Sequence, residues 1–156
     1  MTRPIILLAA VALATPATAQ VRTVPYWASI AASEAMMRTG PDRSYPAFWV
    51  YKRRDLPLRV IQIEGAWRRV QEQDGTKGWM LASLLSVRRT GVVIGTTRPI
   101  RAAPDEASKL LWQAEPGVVA RITKCETGWC RVQIGARVGY ILQAGLWGTE
   151  AGEKIG

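Results

Sequence analysis

The chain contains no histidine, and that absence closes off more chemistry than any motif in it opens. Ser-His-Asp and Cys-His nucleophile systems need an imidazole base, and most zinc sites need an imidazole ligand. Cysteine is nearly as scarce, with only Cys125 and Cys130. Four residues separate them, which is not the C-x-x-C spacing of a redox enzyme. Acidic residues number 12 against 21 basic ones, a formal charge of +9 at pH 7. The acids are scattered over loops and turns, and no short segment sets two of them on an apolar background. The carboxylate pair of a sugar hydrolase is therefore not visible. The expectation is a protein that is not an enzyme and needs no cofactor or metal.

Long apolar runs are also missing beyond the first twenty residues, so no membrane span is expected. The opening itself reads as a secretory signal peptide over residues 1–19. Arg3 gives a positive start, Ile5 to Ala14 an apolar run, and Ala17-Thr18-Ala19 a small-x-small cleavage site. The run is too short to cross a bilayer, and no cysteine sits at the cleavage point to carry a lipid. Cleavage near Ala19 would deliver a periplasmic or secreted chain beginning at Gln20. Losing Arg3 lowers the formal charge from +9 to +8. In that compartment a disulfide between Cys125 and Cys130 is the default, stabilising the fold by about 2 kcal/mol in the chain-entropy model. A basic exported chain favours acidic partners such as envelope phosphates, peptidoglycan carboxylates or anionic lipid, and not nucleic acid. The alternative is that the charge is only solvated surface.

What the chain does have is an internal echo. Arg59-Val-Ile-Gln-Ile-Glu-Gly-Ala-Trp-Arg-Arg-Val-Gln71 aligns without a gap on Arg121-Ile-Thr-Lys-Cys-Glu-Thr-Gly-Trp-Cys-Arg-Val-Gln133. Gly78-Trp79-Met80-Leu81 is matched by Gly139-Tyr140-Ile141-Leu142, and Met37-Arg38-Thr-Gly-Pro41-Asp42 by Ile100-Arg101-Ala-Ala-Pro104-Asp105. The period is that of two copies of one small β-unit. After a leader over 20–26, the first copy reads as strands at Trp27–Ala35, Phe48–Tyr51, Leu58–Ile63, Trp67–Gln71 and Gly78–Leu81. Met36 to Pro46 is loop chemistry, Asp74-Gly75 a hairpin turn and Ala82–Leu85 a helical turn. Gly91–Ile94 is a strand leading into the second copy. The units span 27–87 and 88–147, and 148–156 reads as a flexible tail. Each unit is marginal in size, so the two should pack together.

Alternation along the repeated strand fixes its faces. Cys130, Val132 and Ile134 form the apolar set, which turns Trp129, Arg131 and Gln133 outward. The same register puts Val70 inward and Trp67, Arg69 and Gln71 outward, unless a bulge at the turn flips the tryptophan. Trp67 with Arg69 and Trp129 with Arg131 would make two aromatic–cation surfaces suited to sugars, proline-rich peptides or acidic polymers. Packing at an edge is the competing reading for both tryptophans. Tyr45 and Tyr51 join them as candidate ligand contacts. Trp49, Trp79, Trp112 and Tyr140 read as core or inter-unit packing. The runs Lys52–Arg54, Arg68-Arg69 and Arg88-Arg89 read as solvated faces that could rim a groove.

Met37-Arg38-x-Gly-Pro41 with Tyr45-Pro46, Leu56-Pro57-Leu58-x-Val60, Trp67-Arg-Arg-Val70, Asp74-Gly-Thr-x-Gly78-Trp79 and Leu84-Leu85 resemble a bacterial SH3 domain. The second copy, through Arg101-Ala-Ala-Pro104, Pro116-Gly-Val-Val119, Cys125, Gly128-Trp-Cys-Arg-Val132 and Gly139-Tyr140, is similar to the second repeat of the exported tandem group of alphaproteobacteria. The match covers nearly all of 27–147. It implies an all-β fold of two tandem SH3-like small β-barrels packed together, and a non-catalytic targeting or binding role at the cell wall. Relatives commonly ride on peptidoglycan hydrolases, whereas no catalytic domain is recognisable here. Ala102-Ala103 replaces Thr39-Gly40 and Tyr140 replaces Trp79, so a binding surface could be intact in one copy alone. The expected partner is peptidoglycan or another acidic envelope polymer. The alternative is a periplasmic protein, tethered through a peptide segment. The oligomeric state is not indicated.

Overall fold

The computed structural model describes residues 22–156. The predicted signal peptide over 1–19 lies outside them. The chain is all-β and duplicated. In the first unit the strands are β1 (Tyr26–Ile30), β2 (Ala35–Arg38), β3 (Ala47–Tyr51), β4 (Pro57–Glu64), β5 (Trp67–Gln71), β6 (Lys77–Leu81) and β7 (Leu85–Ser86). In the second they are β8 (Thr90–Val93), β9 (Arg98–Arg101), β10 (Leu110–Ala114), β11 (Val119–Glu126), β12 (Trp129–Ile134), β13 (Arg137–Leu142) and β14 (Leu146–Trp147). The sheet orders are β3-β2-β6-β5-β4-β1-β7 and β10-β9-β13-β12-β11-β8-β14, the same arrangement twice. These are the two SH3-like units expected. Among the described residues no helix is long and apolar enough to cross a membrane.

Each unit closes on its own core, and the two cores correspond position by position. Ile30, Met37, Val60, Val70 and Met80 fill the first; Val93, Ile100, Ile122, Val132 and Ile141 take their places in the second. Val70, Cys130 and Val132 have no exposed surface, so the alternation of the echo points as read. A bulge exists in each copy, but mid-ladder: Ile61 and Thr123 are the extra residues opposite β5 and β12. The turns stay regular, and the tryptophans are not flipped. Cys125 and Cys130 face each other across β11–β12 and form a disulfide.

Four expectations are corrected. The strand read over Trp27–Ala35 is two strands. The chain bends after Ile30, where the Ala31 N–H bonds the Leu84 carbonyl at 2.8 Å, and β2 begins at Ala35. Met36–Arg38, read as loop, is strand, because Met37 is wholly buried in the core. Trp49, read as packing, is 58 % exposed on the outermost strand β3. The tail from Gly148 is folded, not flexible. Ile155 exchanges both backbone hydrogen bonds with Cys125, and the Gln143 amide holds the carbonyls of Glu150 and Glu153 at 3.0 Å each.

The units meet along a seam. Trp27 and Trp147 pack edge to face, with centroids 4.9 Å apart. The Arg53 guanidinium reaches the Gly117 carbonyl at 2.8 Å, and Arg59 pairs with Glu150 at 3.2 Å. The Leu85–Arg89 connection is tied at its end by Arg89, whose carbonyl accepts from the Ile122 N–H at 2.9 Å.

Candidate ligand-binding faces

Cross-strand pairing sets the outward residues of the echo into rows. In the first unit, β2-β6-β5-β4 present Arg38–Trp79–Arg69–Gln62 side by side. In the second, β9-β13-β12-β11 present Arg101–Tyr140–Arg131–Lys124. The row beside it holds Leu81–Trp67–Glu64 in one copy and Leu142–Trp129–Glu126 in the other. Direct cross-strand neighbours lie close enough for their side chains to touch. In each copy the tryptophan thus lies in the row next to an arginine, two residues along the same strand, and a second aromatic stands between two arginines.

The arginines divide by what holds them. Arg38 donates to the Tyr45 carbonyl at 2.7 Å and the Arg43 carbonyl at 3.3 Å; Arg101 donates to the Ser108 carbonyl at 2.8 Å. They clamp the long loop of each copy, which is why an arginine recurs there. Arg68 is likewise spent on the Gly65 and Trp67 carbonyls and the Tyr26 hydroxyl. Arg69 is exposed and forms none of the side-chain hydrogen bonds or ion pairs found among the described residues. Arg131 is exposed too, and donates to the Thr123 hydroxyl at 3.3 Å. The other basic runs are mostly structural ties: Arg88 pairs with Asp55 at 3.4 Å and Arg89 with Glu153 at 2.6 Å.

Trp67 is half-buried and lines a groove of about 240 Å³ with Glu34, Met36, Arg38, Arg43 and Leu81. Trp129, also half-buried, lines a smaller cleft of about 120 Å³ with Pro104, Lys124, Arg131 and Tyr140. There Lys124 pairs with Glu126 at 2.7 Å, the amine holding the carboxyl below its usual range. The second face is thus partly self-neutralised, whereas Gln62 leaves the matching place in the first uncharged.

The other sequence candidates separate from this geometry. Tyr45 is 46 % exposed on the long loop, its ring lying over Gly40 so closely that a Cβ there would overlap it. Tyr51 is only 5 % exposed and belongs to the core, so it is no surface contact; burial first, and then Glu72 beside it, push its phenol pKa far up. Trp79 is also buried, although its strand position is outward. Sequence reasoning missed a further juxtaposition. Glu72 and Asp74, from the β5–β6 turn, line a cleft of about 380 Å³ between the units with Leu56, Pro57, Val92 and Trp147.

A model of the bacterial SH3 domain matches residues 31–86 and again 95–148. The chain belongs to the bacterial SH3 domain family. No curated protein matches it. Among solved structures it is similar to NlpC2 from Trichomonas vaginalis, at 14 % identity and TM-score 0.37, over 81 % of this chain and 49 % of that one. NlpC1 from the same organism gives 14 % and 0.36 over 87 % and 50 %; an NlpC/P60 family protein from Bacillus cereus gives 15 % and 0.35 over 78 % and 55 %. The chain spans about half the length of these structures. Likeness this distant says nothing of activity. What the two family matches do say is that the clamped loop and the Trp-Arg strand belong to the same domain in each half of this bacterial SH3 protein.

Proposed function

We propose that this protein is an exported, non-catalytic binding protein whose outer Trp-Arg faces engage peptidoglycan or another acidic envelope polymer. One observation carries the reading: Arg69, unpaired and exposed, stands between Trp79 and Gln62 and one step from Trp67, which opens onto a groove. A planar indole suits a sugar face, and a guanidinium suits a carboxylate or phosphate. The formal charge of the cleaved chain, 9 − 1 = +8 without Arg3, would draw an anionic polymer toward the surface. The bacterial SH3 family membership and the disulfide are in keeping with a cell-wall role outside the cytoplasm.

The test is co-sedimentation of the purified chain with purified sacculi across a salt series. Binding should weaken as salt rises. Arg69→Ala should weaken it more than Arg131→Ala, because Arg131 is hydrogen-bonded and sits by the Lys124–Glu126 pair. No sedimentation at low salt would refute the proposal.

A second reading, a module that docks on a periplasmic protein, is favoured by the edge strand β3. Phe48, Trp49 and Val50 are 45 %, 58 % and 41 % exposed there, apolar side chains on both faces of a strand at the edge of its sheet, the kind of edge that another chain can pair with. Crosslinking in envelope extract should recover one dominant protein partner, lost in Trp49→Lys, only under this second reading.

A further inference from the structure

The outermost strand of the second sheet, β10, pairs with β9 alone, so among the described residues its other side has no strand partner. Its residues, Leu110-Leu-Trp-Gln-Ala114, carry no charge, and Leu110 and Leu111 are 46 % and 40 % exposed. Natural edges are usually kept from pairing by lysine, proline or an inward charge within the strand, and β10 has none of these. Opposite charges bracket it instead, Lys109 before it and Glu115 after it. Both are exposed, and neither enters any of the ion pairs among the described residues. The arginines that approach the acidic end are held elsewhere. Arg53 donates to the Gly117 carbonyl at 2.8 Å, and Arg137 lies over the Trp112 ring, 5.8 Å from its centroid. The matching edge of the first sheet, β3, is followed by Lys52-Arg53-Arg54 and preceded by Tyr45-Pro46, so it lacks this pair of opposite ends.

We propose that β10 is the interface of a symmetric dimer, in which it pairs antiparallel with β10 of a second copy of this chain. Lys109 and Glu115 stand equally far from Trp112 along the chain. Antiparallel pairing about Trp112 therefore sets each Lys109 beside the other copy's Glu115, and one two-fold axis matches the charges at both ends. Such an interface is self-complementary and closes at two copies. The competing pairings set like charges together, which is destabilising. Parallel pairing of two β10 strands puts lysine on lysine and glutamate on glutamate. Antiparallel pairing of β10 with another copy's β3 puts Lys109 beside Lys52. The extra residue Leu111 bends the strand, so the ladder is short and the dimer should come apart on dilution. The interface uses none of Trp67, Arg69, Trp129 or Arg131, so it stands apart from the polymer-binding reading.

The test is sedimentation velocity of the purified chain over a concentration series, beside two single charge reversals, Lys109→Glu and Glu115→Lys. The wild type should pass from monomer to dimer as concentration rises, and to nothing larger. Each reversal turns attraction into repulsion at both ends and should raise the dimer dissociation constant about tenfold. An equimolar mixture of the two variants restores opposite charges at both ends and should dimerise as the wild type does. Mixing would not rescue a side chain needed only for folding, so the mixture separates the interface from a loss of structure. Leu110→Lys should abolish the dimer, and Trp49→Lys, on the other edge, should leave it unchanged. A wild type monomeric at every concentration, single reversals that dimerise as well as the wild type, a mixture that stays monomeric, or a dimer lost in Trp49→Lys would overturn the proposal. Arg69→Ala should leave the dimer intact while reducing sedimentation with sacculi, so the failure of one proposal is told apart from the failure of the other.

Discussion

Replacing Glu153 by glutamine tests whether the C-terminal tail is a fastened part of the second barrel. The Glu153 carboxylate takes two guanidinium hydrogen bonds from Arg89, at 2.6 and 2.9 Å, and accepts the Glu150 N–H at 2.9 Å. The two side chains are 23 % and 25 % exposed, so solvent screens the pair only in part. A charge-assisted fork of this kind is worth about 1–2 kcal/mol once that screening is counted, equivalent to a fall in melting temperature of roughly 3–7 °C for a chain of this size. Arg89 first, against the opposing cost of burial, holds the Glu153 carboxyl below its ordinary range. A group whose folded pKa is depressed stabilises above its unfolded pKa and loses that contribution as pH falls through the folded value. The wild type should therefore lose this increment below about pH 4.3, while Glu153→Gln lacks it at neutral pH and shows no such step. Calorimetric melts at pH 7 and pH 3, with amide exchange at Ile155 and Cys125, read both effects. A melting temperature unchanged at pH 7, with exchange at Ile155 as slow as in the wild type, would refute the reasoning.

Two further outcomes follow from the packing. Gly139→Ala should destabilise the second unit by about 1–3 kcal/mol, because the added methyl would overlap the buried Ile100 side chain and stand 3.1 Å from the Arg101 carbonyl; a urea midpoint equal to that of the wild type counts against it. Removing the disulfide in a Cys125→Ala, Cys130→Ala chain should cost about 2 kcal/mol through the loosened loop, read as a lower urea midpoint with the slope checked for a changed unfolded state.

The sequence made legible whatever repeats at short range. Two aligned copies fixed Val70 and Val132 inward, Trp67, Arg69, Trp129 and Arg131 outward, and the cysteine pair, because strand alternation is a local rule and the second copy checks the first. Less was legible where a residue's role depends on a distant carbonyl. Arg38 and Arg101 recur in the alignment, but that they clamp Tyr45 and Ser108 becomes visible only once the loop has folded back. Trp49 was misread because aromatic content argues for burial, whereas it sits on the outermost strand, β3, with its side chain clear of the core. Tyr51, two residues on, sits opposite the buried Ala35 and is carried into the core. The polar, glycine-rich tail has the composition of a loose end, yet Arg89 and Gln143, far upstream, supply its partners. The Glu72–Asp74 cleft could not be read from either copy, since half its wall belongs to the other.

Duplication has kept the scaffold equal and let the surfaces diverge. Core positions match pairwise, and the loop clamp is the same arginine in both units. At the outward row the copies part: Gln62 against Lys124, Trp79 against Tyr140, a groove of about 240 Å³ against one of about 120 Å³. The Lys124–Glu126 pair satisfies charge on the second face that a ligand would otherwise have to meet. The second unit instead contributes the disulfide, the folded tail and, through Trp147 and Val92, the far wall of the seam. On the proposed reading, an anionic polymer would meet its freest arginine, Arg69, on the first barrel, and the second would serve mainly to hold that barrel in place.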